Sequence, residues 1–379
     1  MPITEIRTLA KLARDPGLYN EDAYLNISQL VNKYGYDFEE HFVTTQDGYI
    51  LALHRIPGKG PPVLLVHGLL FSSDDYVTAG PESALSYYLS SEGYDVWLAN
   101  ARGNKYSKRH VTLSPNQSEF FNFSWDEMGR YDLPATIDYI LSVTERKKMS
   151  YVGHSQGTTA FFVMCSELPE YNDKISVAIA MSPVTFFSHF FSPFLRFLFK
   201  INFFATLLAI GQPEFLPDAT LSSAVCRPAP AMKFICMNIF VYLYFGFDRA
   251  QFNVTNVPVI FNHNPAGCSA KQYEHYRQLL YSNKFRRYDY GRQRNMELYG
   301  KRVPPNYSLD RVTAPVAIFY SLNDWISSYV DVIKLRRILP NVVDFYKATL
   351  YSHLDFLFGK NVKAKVYGRL LALIRKFDE

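Results

Sequence analysis

The chain has 379 residues, a formal net charge of +5 and a hydrophobic fraction of 48%. This length indicates one large α/β domain that carries an insertion, or two domains. Acidic and basic residues are interspersed, which argues against the concentrated basic stripe of a nucleic-acid-binding protein, whereas 30 Phe and 28 Tyr indicate an aromatic core or contact with apolar matter.

The first part of the chain predicts a short entry segment followed by a sheet. Residues 1–40 are polar and contain one short helical pattern at 27–31, so we predict that they pack onto the main domain. Two strand-like runs then flank Asp47-Gly48, and this dipeptide between apolar residues predicts a β-hairpin. A fully apolar run at 63–66 predicts a buried strand.

Strands and helices then alternate, which predicts a parallel sheet. The elements read from the sequence are a helix over 82–92, a strand over 95–99, a helix over 131–140, a strand before residue 155 and a strand over 175–181. The fold class that this rhythm favours is α/β, with a mostly parallel central sheet flanked by helices. We assign 41–184 as the first part of this core.

The alternation stops at about residue 185 and resumes near 309. Residues 185–308 are aromatic and loop-rich, so we predict a mainly helical cap or lid inserted into the core. Phe residues crowd the start of this insertion, and polar residues interrupt them well short of the ~20 apolar residues of a membrane span. These Phe residues either form the core of the cap or meet an apolar surface. Residues 309–379 supply the second part of the core, with strands over 314–320 and 343–346.

The stretch Gly153-His154-Ser155-Gln156-Gly157 lies between a predicted strand and a predicted helix. A G-x-S-x-G motif in this context is typical of a nucleophile elbow, in which the serine occupies a strained turn and its neighbours two positions away must lack bulk. The sequence therefore predicts Ser155 as a catalytic nucleophile.

A serine nucleophile needs a histidine base and an acid that orients the base. Four of the nine histidines follow Ser155, and three of these fall in the predicted insertion. His353 follows the last predicted strand and is the predicted base. Asp324, after the strand over 314–320, is the predicted acid, and Asp331 at the start of the next helix is the alternative.

The tetrahedral intermediate of acyl transfer needs backbone N–H donors for its oxyanion. The amide of Gln156, directly after the nucleophile, is the first predicted donor. The second should come from the loop His67-Gly68-Leu69-Leu70, with Leu69 favoured and Leu70 as the alternative. This chemistry requires no metal and no organic cofactor.

Cysteines and sequons give weaker signals about the compartment. Cys226 and Cys236 are close enough in sequence to close a loop, and Cys165 is expected to be a buried hydrophobe. The chain as given begins without an apolar leader segment. Sequons favour a secretory route, and their candidate glycosylation sites are Asn26, Asn116, Asn122, Asn253 and Asn306.

Taken together, these stretches resemble the acid lipase family, which contains gastric lipase, lysosomal acid lipase and insect midgut relatives. The resemblance extends from about residue 30 to the end of the chain. The matching stretches are Gln46-Asp47-Gly48-Tyr49-Ile50-Leu51, His67-Gly68-Leu69-Leu70, Gly93-Tyr94-Asp95-Val96-Trp97-Leu98, Asn100-Ala101-Arg102-Gly103-Asn104, the Ser155 motif, His263-Asn264-Pro265-Ala266-Gly267 and His353-Leu354-Asp355-Phe356.

The resemblance implies an α/β-hydrolase fold with Ser155, Asp324 and His353 as triad and Leu69 and Gln156 as oxyanion donors. It also implies a mobile lid and a disulfide between Cys226 and Cys236. The expected activity is hydrolysis of long-chain fatty-acid esters by a monomer at a lipid–water interface, in a secreted or lysosomal setting. Triacylglycerols are the first expected substrate class and cholesteryl esters the second. The alternatives are an esterase for small soluble esters and a non-catalytic lipid carrier.

Overall fold

The computed structural model describes residues 20–220, 243–246, 250–251 and 256–378. Within these residues, a nine-stranded mixed sheet organises the molecule, with strand order β1-β2-β4-β3-β6-β7-β10-β11 and β5 paired with β2. A separate pair is formed by β8 and β9. The strands are β1 (Glu39–Thr44), β2 (Tyr49–Ile56), β3 (Pro62–Val66), β4 (Asp95–Ala99), β5 (Arg109–His110), β6 (Met149–His154), β7 (Ile175–Met181), β8 (Glu214–Phe215), β9 (Cys268–Ser269), β10 (Val316–Tyr320) and β11 (Val342–Lys347).

Helices cover both faces of this sheet. They are α1 (Ile27–Lys33), α2 (Leu85–Ser91), α3 (Trp125–Glu127), α4 (Leu133–Thr144), α5 (Gln156–Glu167), α6 (Pro193–Lys200), α7 (Phe203–Ala209), α8 (Leu243–Phe245), α9 (Val257–His263), α10 (Ala270–Ser282), α11 (Arg292–Tyr299), α12 (Tyr329–Ile338), α13 (Asp355–Phe358) and α14 (Gly368–Asp378). Because side chains alternate along a strand, Leu64 and Val66 of β3 enter one hydrophobic core, and Val63 and Leu65 enter the other.

The predicted hairpin and parallel sheet are confirmed. Strands β1 and β2 pair antiparallel around the Asp47-Gly48 turn, where Gly48 has a φ of 95°. From β4 to β11 every neighbouring pair in the central sheet is parallel. The inner strands β3, β4 and β6 are buried along their whole length, as parallel strands usually are, whereas the edge strand β11 is half-buried. The carboxyl ends of these strands therefore lie along one edge of the sheet, which is where parallel α/β folds build their sites.

Helix boundaries depart from the sequence prediction in two places. Helix α2 begins at Leu85 rather than at residue 82, because the preceding residues form a turn in which Ser83 N donates to Gly80 O at 3.1 Å. The helix expected over 131–140 instead follows α3 and a π-helical turn, Met128–Asp132. Pro134 has no N–H to donate, and Leu133 N bonds the carbonyl of Met128 five residues earlier.

The described part of 185–308 contains helices α6 to α11 and the β8–β9 pair, in agreement with a mainly helical insertion. The assignment of this stretch as a separate cap stays a prediction. Its Phe residues divide between the two predicted roles: Phe187, Phe190 and Phe199 are buried, whereas Phe191 and Phe197 are 63% and 58% exposed. Among the described residues, no helix has the length and apolar character that crossing a membrane requires.

A buried arginine, Arg102, joins the hairpin to the centre of the fold by binding two aspartates. The guanidinium of Arg102 donates to Asp47 at 2.6 Å and to Asp132 at 2.7 Å, and it lies 4.0 Å above the ring centroid of Tyr49. The Arg102 side chain is only 1% exposed. Removing one partner of such a group leaves the remaining charges buried and uncompensated.

We expect Arg102→Met to lower the free energy of unfolding by roughly 3–5 kcal/mol. The control Arg294→Met removes an ion pair to Glu297 whose side chains are 59% and 49% exposed, so it should cost less than about 1 kcal/mol. Urea unfolding of both variants checks this. Equal losses from the two substitutions would contradict the role given to Arg102.

Candidate active site

Ser155 lies at the turn between β6 and α5, as the elbow motif predicts. Its φ of 52° and ψ of −116° are strained for a residue with a side chain. The turn is held by Ser155 N, which donates to Met181 O at 3.1 Å, and by Thr158, whose hydroxyl donates to Ser155 O at 2.6 Å. The serine is therefore fixed at the carboxyl edge of the sheet.

The two glycines of the motif are required by close backbone contacts. A Cβ on Gly157 would lie 2.4 Å from Val66 O, and one on Gly153 would lie 2.9 Å from the carbonyl carbon of Gly157. Real Cβ atoms do not approach so closely, so any side chain would force β3, β6 and α5 apart. Gly68 is less tightly enclosed, but its Cβ would still lie only 3.2 Å from Ser155 Cβ. The loop after β3 thus packs directly against the predicted nucleophile.

The structure brings His353 and Asp324 together in a buried pair. His353 Nδ1 donates to both carboxylate oxygens of Asp324, at 2.9 and 2.8 Å, which leaves Nε2 of the ring as the acceptor. Two backbone amides, those of Ile326 and Ser327, also donate to Asp324 Oδ1 at 2.9 and 2.8 Å. The carboxylate is therefore fixed in place and can hold the imidazole in one tautomer.

The competing residues have other partners. Asp331 accepts from the backbone N and ring Nδ1 of His189 at 2.9 and 2.7 Å, and Ser328, not Asp331, caps helix α12. His263 bonds Asp74, and His275 bonds Ser124. Each histidine of the predicted insertion therefore bonds a residue other than Asp324 or His353.

Ser155 and His353 face one cavity, whose empty volume including its open mouth is about 410 Å³. Its remaining lining is mainly apolar and aromatic: Leu69, Phe71, Val184, Phe187, Leu195, Tyr244, Phe245, Tyr273, Tyr276 and Ile326. The tyrosine hydroxyls bond within the protein, Tyr244 to Tyr273 at 2.7 Å and Tyr276 to Thr159 at 2.8 Å. The cavity can therefore present apolar surface to a bound molecule.

A short segment of the predicted cap, 243–246, contacts the loops of the buried pair. The carbonyl of Phe245 accepts from His353 N at 3.2 Å and from Trp325 N at 3.4 Å. The Phe245 ring is also parallel to the His353 ring, with centroids 5.8 Å apart. Sequence reasoning did not identify this contact, because nothing local in the sequence links residue 245 to residues 325 and 353.

The two predicted oxyanion donors belong to the helix after the nucleophile and to the loop after β3. Gln156 is the first residue of α5, where backbone N–H groups have no partner within the helix. Leu69 lines the same cavity as Ser155. Leu70, the alternative, has a φ of 69°, and its carbonyl accepts from Ala266 N at 2.7 Å. Its backbone is therefore tied to the predicted insertion.

Two further histidines of the site were not identified from the sequence. His154 Nε2 donates to His353 O at 2.9 Å, and burial lowers its pKa well below the ordinary value. His67 Nδ1 donates to Gly68 O at 2.7 Å, and burial lowers the pKa of His67 to about 4. His154 precedes the nucleophile and His67 begins the loop of the second predicted donor, but the sequence pattern assigned neither ring a contact.

Because the pKa of His67 falls from 6.5 unfolded to about 4 folded, the unfolded chain binds the extra proton between these values. Wild-type stability from this group is complete above pH 6.5 and is lost as the pH falls toward 4. Against His67→Asn, which cannot titrate, the free energy of unfolding of the wild type should fall by roughly 3 kcal/mol over this range. Urea unfolding of both proteins at pH 7 and pH 4 measures the difference; a constant difference would contradict burial of the neutral ring.

The remaining predicted sites are surface or cysteine positions. Asn26, Asn116, Asn122 and Asn306 are all exposed, and Asn253 lies outside the described residues. Cys226 and Cys236 also lie outside them, so their disulfide stays a prediction. Cys165 is a buried free cysteine, as expected, and Cys268 is also buried and free.

Comparison with family models identifies two overlapping regions. Residues 27–80 match the model described as "Partial alpha/beta-hydrolase lipase region", and residues 61–222 match the model described as "alpha/beta hydrolase fold". Among solved structures, a putative lipase from Sulfolobus solfataricus superposes with a TM-score of 0.60 at 16% identity, covering 86% of this chain and 90% of that one. At this identity the likeness shows the fold alone.

Relatives in sequence cover nearly the full chain. Lipase 1 of Drosophila melanogaster is 41% identical, over 95% of this chain and 82% of its own length. Gastric triacylglycerol lipase of Rattus norvegicus is 38% identical, over 94% and 93%. Lysosomal acid lipase/cholesteryl ester hydrolase of Homo sapiens is 36% identical, over 93% and 92%. The chain therefore belongs to the acid lipase family of the α/β-hydrolase fold.

Proposed function

We propose that this protein is a lipase that hydrolyses carboxylic esters of long-chain fatty acids through Ser155, His353 and Asp324. The observation that carries the proposal is the buried Asp324–His353 pair, whose histidine lines the same cavity as a serine held at a strained strand-to-helix turn. Triacylglycerols are the favoured substrates and cholesteryl esters a second class, since the relatives carry both names.

In the proposed reaction, Ser155 Oγ attacks the ester carbonyl carbon while His353 Nε2 takes its proton. The carbonyl oxygen becomes an oxyanion that accepts from the amides of Gln156 and Leu69. His353 then protonates the leaving alcohol, and an acyl-enzyme remains on Ser155. Water activated by the same imidazole releases the fatty acid, and Asp324 stabilises the imidazolium in both steps.

The apolar lining of the cavity favours an ester whose acid part is a fatty acyl chain. Leu69, Phe187 and Leu195 lie around Ser155, and the hydroxyls of Tyr244 and Tyr276 are engaged with protein partners. Burying each methylene of an acyl chain in such a site contributes about 0.8 kcal/mol. Preference for long over short chains follows from this lining.

Purified protein should release more acid per active site from emulsified triolein than from tributyrin, and should also cleave cholesteryl oleate. A continuous acid titration of the three emulsions measures this. Greater activity on soluble short-chain esters than on triolein would favour the esterase alternative. Binding of lipid without any acid release would favour a lipid carrier.

The proposed setting is the secretory pathway, either outside the cell or in the lysosome. It is supported by relatives that are named as gastric and lysosomal lipases and by exposed asparagines at four sequons. Glycosylation at these positions and at Asn253 would be read as mass loss after glycosidase treatment. A Cys226–Cys236 disulfide and a monomeric state belong to the same proposal.

A further inference from the structure

His67 is the first residue of the loop that carries Leu69, and it is only 5% exposed. Its two nitrogens have distinct roles. Nδ1 lies 2.7 Å from Gly68 O, so it must carry the proton and donate. Nε2 accepts from Ala101 N at 3.1 Å and lies 3.2 Å from the side-chain amide of Asn104. The surrounding donors thus select the neutral ring with its proton on Nδ1.

Gly68 O and Leu69 N belong to one peptide group. In a planar trans peptide, the C=O and N–H bonds point in opposite directions, so a bond that fixes the carbonyl also fixes the amide. Among the described residues the only cis bond is Asn264–Pro265, so the Gly68–Leu69 bond is trans. A donor on Gly68 O therefore sets the direction of the Leu69 N–H and also polarises it.

The residue that begins this peptide, Gly68, lies against the turn of the nucleophile. A Cβ on Gly68 would lie 3.2 Å from Ser155 Cβ and 3.3 Å from His154 Nδ1, which places Gly68 against the elbow. Two other hydrogen bonds hold the loop: Phe71 N donates to Gly68 O at 3.3 Å, and Ala266 N donates to Leu70 O at 2.7 Å. The His67 bond is shorter than the one from Phe71 and acts on the same carbonyl.

We propose that His67 is a positioning residue that aims the Leu69 amide at the oxyanion of the reaction, by holding the carbonyl of the Gly68–Leu69 peptide with a hydrogen bond from Nδ1. This rests on the proposed function, in which Leu69 is an oxyanion donor. His67 touches no substrate; it acts through the peptide. Its contribution should appear in the chemical step rather than in substrate binding, since the oxyanion exists only after attack.

The ring must stay neutral for this arrangement, because protonated Nε2 would face two N–H donors. The charged or titratable groups near it are Asp74, which is paired with Lys105 and His263, the buried neighbour His154, and Asp132, which lines a cavity with His67 and is paired with Arg102. Burial outweighs the attraction to Asp74 and lowers the pKa of His67.

Three substitutions separate the two nitrogens. Asparagine places an amide N–H near the position of Nδ1, glutamine places its amide near the position of Nε2, and leucine supplies neither. With 4-nitrophenyl butyrate as substrate, we expect kcat to fall about 10- to 100-fold in His67→Leu and His67→Gln, with KM changed less than about threefold. His67→Asn should recover kcat to within about fivefold of the wild type.

An alkyl boronic acid, which forms a tetrahedral adduct on a catalytic serine, gives a second readout. Its inhibition constant should rise in the Leu and Gln variants by about the factor that kcat/KM falls, and recover in the Asn variant. Recovery by Gln and not by Asn would overturn the proposal, because it would assign His67 to holding the loop at 101–104. A kcat within threefold of the wild type in all three variants would also overturn it.

Melting temperatures show whether each variant is folded. If the Leu variant does not fold, the comparison of His67→Asn with His67→Gln still tests whether the Nδ1 bond is the one that matters. Ser155→Ala, measured alongside, separates a failure of the proposed function from a failure of the role proposed for His67. If it retains full activity, the proposed function fails. If it is inactive while the His67 variants keep wild-type kcat, only the role of His67 fails.

Discussion

Replacing Ser155 with alanine should lower kcat for ester hydrolysis by about 10⁴- to 10⁶-fold, because the reaction then has no nucleophile and only binding and oxyanion stabilisation remain. The strained turn should persist, since its bonds involve backbone groups of Ser155 and the side chain of Thr158. Initial rates with 4-nitrophenyl butyrate, and stoichiometric labelling by a phosphonate ester, measure the loss.

A matched control is Ser166→Ala on the same helix. Ser166 is buried, and its hydroxyl donates to Val163 O at 3.0 Å without lining the cavity. It should keep kcat within about threefold of the wild type and stay labelled by the phosphonate, since it removes one ordinary hydrogen bond worth about 1 kcal/mol of stability. Wild-type activity in Ser155→Ala would contradict the proposed mechanism.

Replacing Asp324 with asparagine should lower kcat by about 10⁴-fold. Asparagine preserves the size of the side chain but can present an N–H to His353 Nδ1, which favours the wrong tautomer of the ring. The negative charge that stabilises the imidazolium is lost as well. The expected signature is a fall in kcat with a smaller change in KM, measured with the same ester.

Asp331→Asn provides the comparison for Asp324, because Asp331 was the alternative acid. Its carboxylate binds His189 rather than His353, so the substitution should keep kcat within about tenfold of the wild type. A loss of 10³-fold or more in Asp331→Asn, together with a mild effect in Asp324→Asn, would reverse the assignment. Thermal unfolding of both variants separates lost activity from lost folding.

The sequence was sufficient where local pattern and chain order decide the outcome. The Asp47-Gly48 hairpin and the elbow at Ser155 follow from periodicity and glycine placement, because their geometry involves residues close in sequence. The parallel sheet follows from the alternation of strands and helices along the chain. The pairing of Asp324 with His353 followed from their positions after strands that end at one edge of the sheet. Local pattern and the order of elements along the chain were enough to predict these features.

Other features depend on contacts between distant parts of the chain. The bond from His353 N to Phe245 O and the partnership of Asp331 with His189 join residues whose local sequences give no sign of each other. The roles of His67 and His154 depend on which ring nitrogen meets which carbonyl, a choice that burial and neighbouring loops impose. Pattern reasoning identifies such histidines as part of a motif but not their task.

The direct pairing of β7 with β10 has an evolutionary implication. Met181 pairs with Phe319, so the chain leaves the sheet and returns to it at adjacent strands, with all of 185–308 between them. Lengthening, shortening or exchanging that excursion leaves the strand order undisturbed. Under the proposed function, selection could change which lipids are admitted through this one stretch of sequence, which supplies part of the cavity lining, while the proposed triad stays in the two flanking pieces.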